Sequence, residues 1–204
     1  MLALLAGCSA KRGDISSSGM GIIQYRSACP IVAVPAYTGD VTLFDPPASR
    51  TSESIDVAAS ISNLKSTCEE RGGQIVSNAT FMVTAIRRDP GAQRVIDLPY
   101  FSTVVQGGTQ VVAKRIGTVR LYFPEGALRS QAFATAASTV DKAAATLPSD
   151  IEQLINKPRK SGDFDASLDP LSQPRVKEAV QRTSFELLVG FNLTQDQLRY
   201  NITR

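Results

Sequence analysis

Histidine and tryptophan are absent from this chain of 204 residues, and each absence removes chemistry. Without histidine there is no Ser-His-Asp or Cys-His nucleophile and no His-containing zinc site. Without tryptophan, the broadest ring for stacking on a sugar is missing, which argues mildly against a glycan site. Three cysteines cannot build a four-cysteine zinc site. No Gly-x-x-x-x-Gly-Lys-Ser/Thr phosphate loop occurs, and no Gly-x-Gly-x-x-Gly follows a strand pattern. No run approaches the roughly 18 apolar residues that a membrane-spanning helix needs. These absences leave no catalytic residue, metal or cofactor to nominate with any specificity.

What is present begins at the N-terminus. Met1-Leu2-Ala3-Leu4-Leu5-Ala6-Gly7-Cys8 reads as the end of an apolar signal segment followed by small residues, and Leu5-Ala6-Gly7-Cys8 resembles the bacterial lipobox. That resemblance implies a diacylglycerol on the Cys8 thiol, cleavage just before it and acylation of the new amine. A charged region and a full apolar stretch of about 7 to 15 residues normally precede such a site, so the natural start is expected upstream. The competing reading is an ordinary apolar N-terminus with a free thiol. Residues 9–28 carry Lys11, Arg12, Ser16 to Ser18, Gly13, Gly19 and Gly21 without hydrophobic periodicity, the composition of a tether. Ser9, in place of the Asp that favours inner-membrane retention, points to the outer membrane, with the domain facing the periplasm. Each buried CH₂ of an acyl chain contributes about 0.8 kcal/mol to anchoring.

After the tether roughly 175 residues remain, enough for one domain with a core. Hydrophobic content of 43%, charged content of 20% and a formal charge of +3 are ordinary for a globular protein. Arg87-Arg88 and Lys157-Pro158-Arg159-Lys160 are read as solvated loops, with contact to an anionic surface as the alternative. No nucleic-acid motif accompanies them. With Cys8 lipidated, Cys29 and Cys68 remain as a pair in an oxidising compartment, where such pairs usually close. Spacing alone leaves two separate buried thiols as the alternative.

Period-two alternation dominates residues 29–204. Ile55, Val57, Ala59 and Ile61 alternate with small or polar neighbours, as do Phe81, Val83 and Ala85 within Gln74 to Arg88. Val119, Leu121 and Phe123, and then Phe185, Leu187, Val189 and Phe191, repeat the pattern of a strand with one buried face. Leu98 to Gln106 and Gln110 to Lys114 flank Gly107-Gly108-Thr109, a hairpin connection. With Pro30 to Pro35 and Val41 to Phe44, seven or eight strands are predicted, the count of an antiparallel β-sandwich of immunoglobulin-like general shape. Gln131 to Lys142 is open between an outer strand and the start of a helix. Ser149 to Glu152 has capping-box spacing before a helix to Lys157. Pro174 to Arg182 reads as a second helix, and Thr194-Gln195-Asp196-Gln197 caps a third. Ala143 to Arg182 is thus an insertion between two strands.

Cys29-Pro30-Ile31-Val32-Ala33-Val34, Tyr100-Phe101, Tyr122 to Gly126 and Val189-Gly190-Phe191-Asn192-Leu193-Thr194-Gln195-Asp196-Gln197-Leu198-Arg199-Tyr200-Asn201 together resemble a family of uncharacterised alphaproteobacterial lipoproteins. Its pattern joins a lipobox and a Cys-Pro domain start to a closing Val-Gly-Phe-x-Leu-Thr-x-x-Gln-Leu-x-Tyr-Asn signature. The resemblance spans both ends of the domain and omits Ala143 to Arg182. It implies location and fold and assigns no activity.

Carboxylates are the remaining chemical candidates. Asp163, Asp165 and Asp169 have an incomplete calcium-loop alternation with no distal Glu. Glu69-Glu70 and Asp150 with Glu152 offer paired acids whose separation depends on the fold. Asn78, Asn192 and Asn201 begin Asn-x-Ser/Thr triplets, which behind a lipobox carry no glycosylation meaning. Tyr100, Phe101 and Tyr122 read as strand packing, or as an aromatic contact patch. The expectation is a noncatalytic, lipid-anchored envelope subunit that binds another envelope protein; a ligand or cell-wall glycan module and a carboxylate enzyme are the alternatives.

Overall fold

The computed structural model describes residues 27–157 and 169–204. Eight strands, β1 (Ile31–Ala33), β2 (Asp40–Phe44), β3 (Ile55–Arg71), β4 (Gln74–Arg87), β5 (Arg94–Gln106), β6 (Gln110–Phe123), β7 (Arg129–Asp141) and β8 (Phe185–Phe191), form two four-stranded sheets. Sheet A runs β1-β8-β5-β6 and sheet B runs β2-β3-β4-β7. Alternating apolar residues of both sheets meet in one core, in which Phe81, Leu121, Phe123, Leu187 and Phe191 are fully buried. The molecule is therefore the β-sandwich that the alternation predicts.

One pairing departs from a purely antiparallel arrangement. β1 runs parallel to β8; the whole domain separates these two strands, so no tight turn forces them antiparallel. Cys29, just before β1, is bonded to Cys68 with Cα atoms 6.0 Å apart. Cys68 lies within β3 rather than in a turn, so the bridge ties sheet A to sheet B.

Three strands outrun the hydrophobic pattern. β3 continues through polar Asn63 to Arg71 because its ladder with β4 resumes after a bulge between Ser62 and Lys65. Gly72 and Gly73 then turn the chain with φ of 58° and 78°, the left-handed pair that a two-residue hairpin requires. β6 is one strand, where the apolar pattern breaks into two pieces. Its middle residue Gly117 lies opposite Tyr100, and a Cβ there would stand 2.5 Å from the Tyr100 ring. The open question over Gln131 to Lys142 resolves as strand: β7 pairs with β4 through an unbroken register from Arg129 to Gln74's partner Asp141.

Between β7 and β8 lie α1 (Lys142–Ala145), α2 (Ser149–Asn156) and α3 (Pro174–Arg182). Ile151, Val176 and Ala179 make a small second core there. The expected capping box at Ser149 does not form, since Pro148 occupies the cap position and offers no side-chain acceptor. α4 (Gln195–Thr203) does begin with a complete box: the Thr194 side chain accepts from the Gln197 backbone while Gln197 reaches back to the Thr194 N–H. No helix among the described residues is long and apolar enough to cross a membrane.

Candidate functional site

The closing signature builds a clasp. Val189 and Phe191 are core residues of β8, and Gly190 between them leaves room for the Thr38 side chain and the Phe101 ring, either of which a Cβ would strike. Tyr200 packs edge-on against Phe44 at 5.1 Å. The buried Asn201 amide donates at 2.8 Å to the carbonyls of both Tyr37 and Asp40. Arg204 pairs with Asp40. The signature thus locks α4 onto β2 and the loop before it. Asn201 is buried in this contact, out of reach of any modification.

Arg87 corrects the reading of Arg87-Arg88 as a solvated loop. It is 4% exposed and faces the interior from the end of β4. Nε donates to Ala127 O at 2.6 Å, Nη1 to Ala92 O at 2.8 Å, and Nη2 to Gly91 O and Pro124 O at 3.0 and 3.1 Å. Its guanidinium also stacks 5.4 Å from the Phe123 ring centre. One side chain therefore holds two turns together. Arg88 is the solvated member, paired at the surface with Asp89.

The carboxylate candidates are separated. Glu69 pairs with Arg71 and Glu70 with Lys142, while Asp150 pairs with Arg175 between α2 and α3. Asp169 caps a short turn by accepting from Leu171 N at 2.9 Å; Asp163, Asp165 and the expected lipidation site Cys8 lie outside the described residues. Among the described residues no three His, Cys, Asp or Glu side chains converge as a metal site. Asp97 and Asp56 are held below the ordinary carboxylate range, first by the hydrogen bonds of Arg120 and Arg94 respectively. Both are cross-strand or cross-sheet ion pairs with bidentate geometry. Ser62-Asn63-Leu64-Lys65 has Ser-x-x-Lys spacing, a match easily overlooked in a polar strand. Both residues are exposed on β3, with no hydrogen bond joining them among those described, so no nucleophile pair is assembled. A depression at the start of α1 is lined by Gly73, Asp141, Lys142, Thr146 and Pro148. Its polar groups are engaged: Asp141 caps Ala143 N, Lys142 binds Glu70 and Thr146 binds Lys142 O.

The aromatic trio divides. Tyr100 turns inward against Phe81 and donates to Thr135 O at 2.8 Å, bridging the sheets; Phe101 packs over Gly190, and Tyr122 is exposed. The larger exposed apolar feature is the first half of β6. Every residue from Gln110 to Ile116 is exposed, including Val111 at 60%, Val112 at 53% and Ile116 at 54%. A strand normally hides one face; this segment hides neither. β6 is also the last strand of sheet A, so alternate backbone N–H and C=O groups on its outer side lack a strand neighbour. Lys114 and Arg115 stand among the valines, giving an apolar arm with positive charge. The sequence pattern carries the signal in hindsight: Gln110 to Ile116 is apolar and basic without alternation.

No family model matches the sequence, and no curated protein is similar to it. Among solved structures, the crystal structure of a DUF1425 family member from Shewanella sp. pv-4 resembles the chain at 14% identity with a TM-score of 0.25, covering 53% of this chain and 91% of its own.

Proposed function

We propose that the protein is a noncatalytic envelope subunit, anchored in the outer membrane by lipid on Cys8, whose sandwich binds another envelope protein through the β6 arm. The observation that carries this reading is the exposure of both faces of Gln110 to Ile116 on an unpaired sheet edge. An extended segment of a partner can add to such an edge, main-chain bonds giving affinity and alternate side chains giving specificity. The basic pair Lys114 and Arg115 favours an acidic partner segment. The closed Cys29–Cys68 bridge agrees with an oxidising compartment, and the lipobox resemblance supports the anchor and membership of the lipoprotein family described above. The 21 residues from Cys8 to Cys29 reach at most about 70 Å when fully extended, which confines the sandwich near the bilayer.

Native electrophoresis of detergent-solubilised membranes tests the reading. The chain should migrate in a complex larger than its own monomer or dimer, and Val111→Asp with Val112→Asp should release it without lowering the thermal midpoint, since both side chains are already in water. A doubly substituted chain that stays in the complex contradicts the assignment. Cys8→Ser should move the protein to the soluble fraction; persistent membrane association contradicts the anchor.

A further inference from the structure

The four sheet edges are β1 and β6 in sheet A and β2 and β7 in sheet B. Proteins guard such edges by keeping them short, charging them or bulging them. β1 has three residues and β2 has five, with a register shift at its end. β6 carries Lys114, Arg115 and Arg120. β7 has none of these guards. It runs for 13 residues, pairs with β4 without a bulge, and contains no charge and no proline from Ser130 to Val140. Phe133 on its outward face is 63% exposed.

The charges that β7 does carry stand at its two ends, and they are opposite: Arg129 first, Asp141 last. An antiparallel pairing of the strand with a second copy over its full length centres on Thr135, whose carbonyl already accepts from the Tyr100 hydroxyl and keeps a second lone pair for the ladder. Arg129 of each copy then faces Asp141 of the other, twice. In the same register Phe133 faces Ala137, a large side chain against a small one, and the half-buried Ala134 faces Ala136. Arg129 has no ion pair among the described residues, so its charge is available. Asp141 already accepts from Ala143 N and is exposed, with its second oxygen open to a guanidinium. Opposite charges directly across strands stabilise pairing and like charges oppose it. A two-fold contact also demands such self-complementarity.

We propose that this protein forms a homodimer by antiparallel β7–β7 pairing about Thr135, joining two copies of sheet B into one eight-stranded sheet. The pairing extends sheet B in its own plane.

Sedimentation equilibrium of the full chain carrying Cys8→Ser, together with oxidative cross-linking, tests this. The chain should dimerise, Arg129→Asp should weaken the dimer about tenfold or more because two like-charged contacts replace two pairs, and Arg129→Asp with Asp141→Arg should restore it. Thr135→Cys should give a disulfide-linked dimer, since a residue on the two-fold faces itself within about 4.5 to 5.5 Å. Phe133→Cys should not, because its counterpart is four residues out of register, about 13 Å along the strand. A chain that stays monomeric at millimolar concentration overturns the proposal. So does a dimer indifferent to Arg129→Asp, one not rescued by the double swap, or one in which Phe133→Cys cross-links and Thr135→Cys does not. None of these variants touches β6, so failure here leaves the partner-binding reading to be judged on its own test.

Discussion

Arg87 holds a positive charge in the interior, paired with no carboxylate among the described residues, and four carbonyl oxygens take the place of a counter-ion. Hydrogen bonds to a charged donor are stronger than neutral ones, and acceptors left buried without a donor cost about 1–3 kcal/mol each. Arg87→Met should therefore destabilise the fold by about 3 kcal/mol or more, lowering the thermal midpoint by roughly 6–12 °C. Arg87→Lys should recover little, because an ammonium on a single stem cannot span carbonyls from two turns. A midpoint within a degree of the parent would show that the clasp is ornamental. Ser77 and Ser138 present the opposite case. They face each other across β4 and β7, are 1% and 5% exposed, and their hydroxyls have no partner among the described residues. Replacing an unbonded buried hydroxyl by a methyl group removes a desolvation cost. Ser138→Ala should thus be neutral or stabilising in a denaturant melt; a loss above about 1 kcal/mol would mean the hydroxyl is bonded. None of the three residues was legible in the sequence, where Arg87 sits in an ordinary basic pair and the serines in an ordinary polar alternation. Three-dimensional neighbours decide all three.

At the scale of elements, the alternating strands β4, β8 and the apolar end of β6 are legible because burial on one face writes a period of two. The parts that were not legible are held by neighbours rather than by their own pattern. The polar half of β3 is strand because β4 offers it a ladder, and β7 is strand although its alanines favour helix while its threonines favour strand. Cap positions behaved differently at the two candidate helix starts. Thr194 has a free hydroxyl and forms the box, whereas Pro148 displaces Ser149 from the cap position. Thr194→Ala should consequently unfasten the first turn of α4 at a cost of about 1 kcal/mol, with faster amide exchange in Gln195–Thr203. Ser149→Ala should leave α2 unchanged. Equal effects at the two positions would contradict this assignment. The closing signature, readable only as a string of residues, acquires its meaning here: Val189 and Phe191 fill the core, Gly190 clears space, and Thr194, Gln197, Tyr200 and Asn201 fasten α4.

For the whole molecule, the lack of histidine has a thermodynamic consequence. No side chain in the chain has an ordinary pKa between about 5 and 8, so stability should stay flat across that range. Asp56 and Asp97 are depressed in the folded state by Arg94 and Arg120. Their stabilising pairs are fully present above the ordinary carboxylate value of about 4 and are lost as pH falls through the lower folded values. Thermal midpoints should therefore fall only below about pH 4, modestly, since the Arg120–Asp97 pair is solvent-exposed and the Arg94–Asp56 pair is only partly buried. A midpoint that shifts between pH 5.5 and 7.5 would contradict this, and would point to a carboxylate or amine displaced far from its ordinary value. Fold class and the Cys29–Cys68 pairing could be read from sequence because alternation and cysteine parity are local or countable. The binding surface could not, since it is defined by which strand ends a sheet and by which face nothing covers.

Site-specific photo-cross-linking in intact cells tests partner binding through β6 most directly. A photoreactive residue at Val112, on the exposed arm, should give one predominant adduct with a second envelope protein, while the same residue at Ile86, exposed on the outer face of sheet B, should give none of that adduct. No adduct at Val112, or equal yields of the same adduct at Val112 and Ile86, would contradict docking through β6.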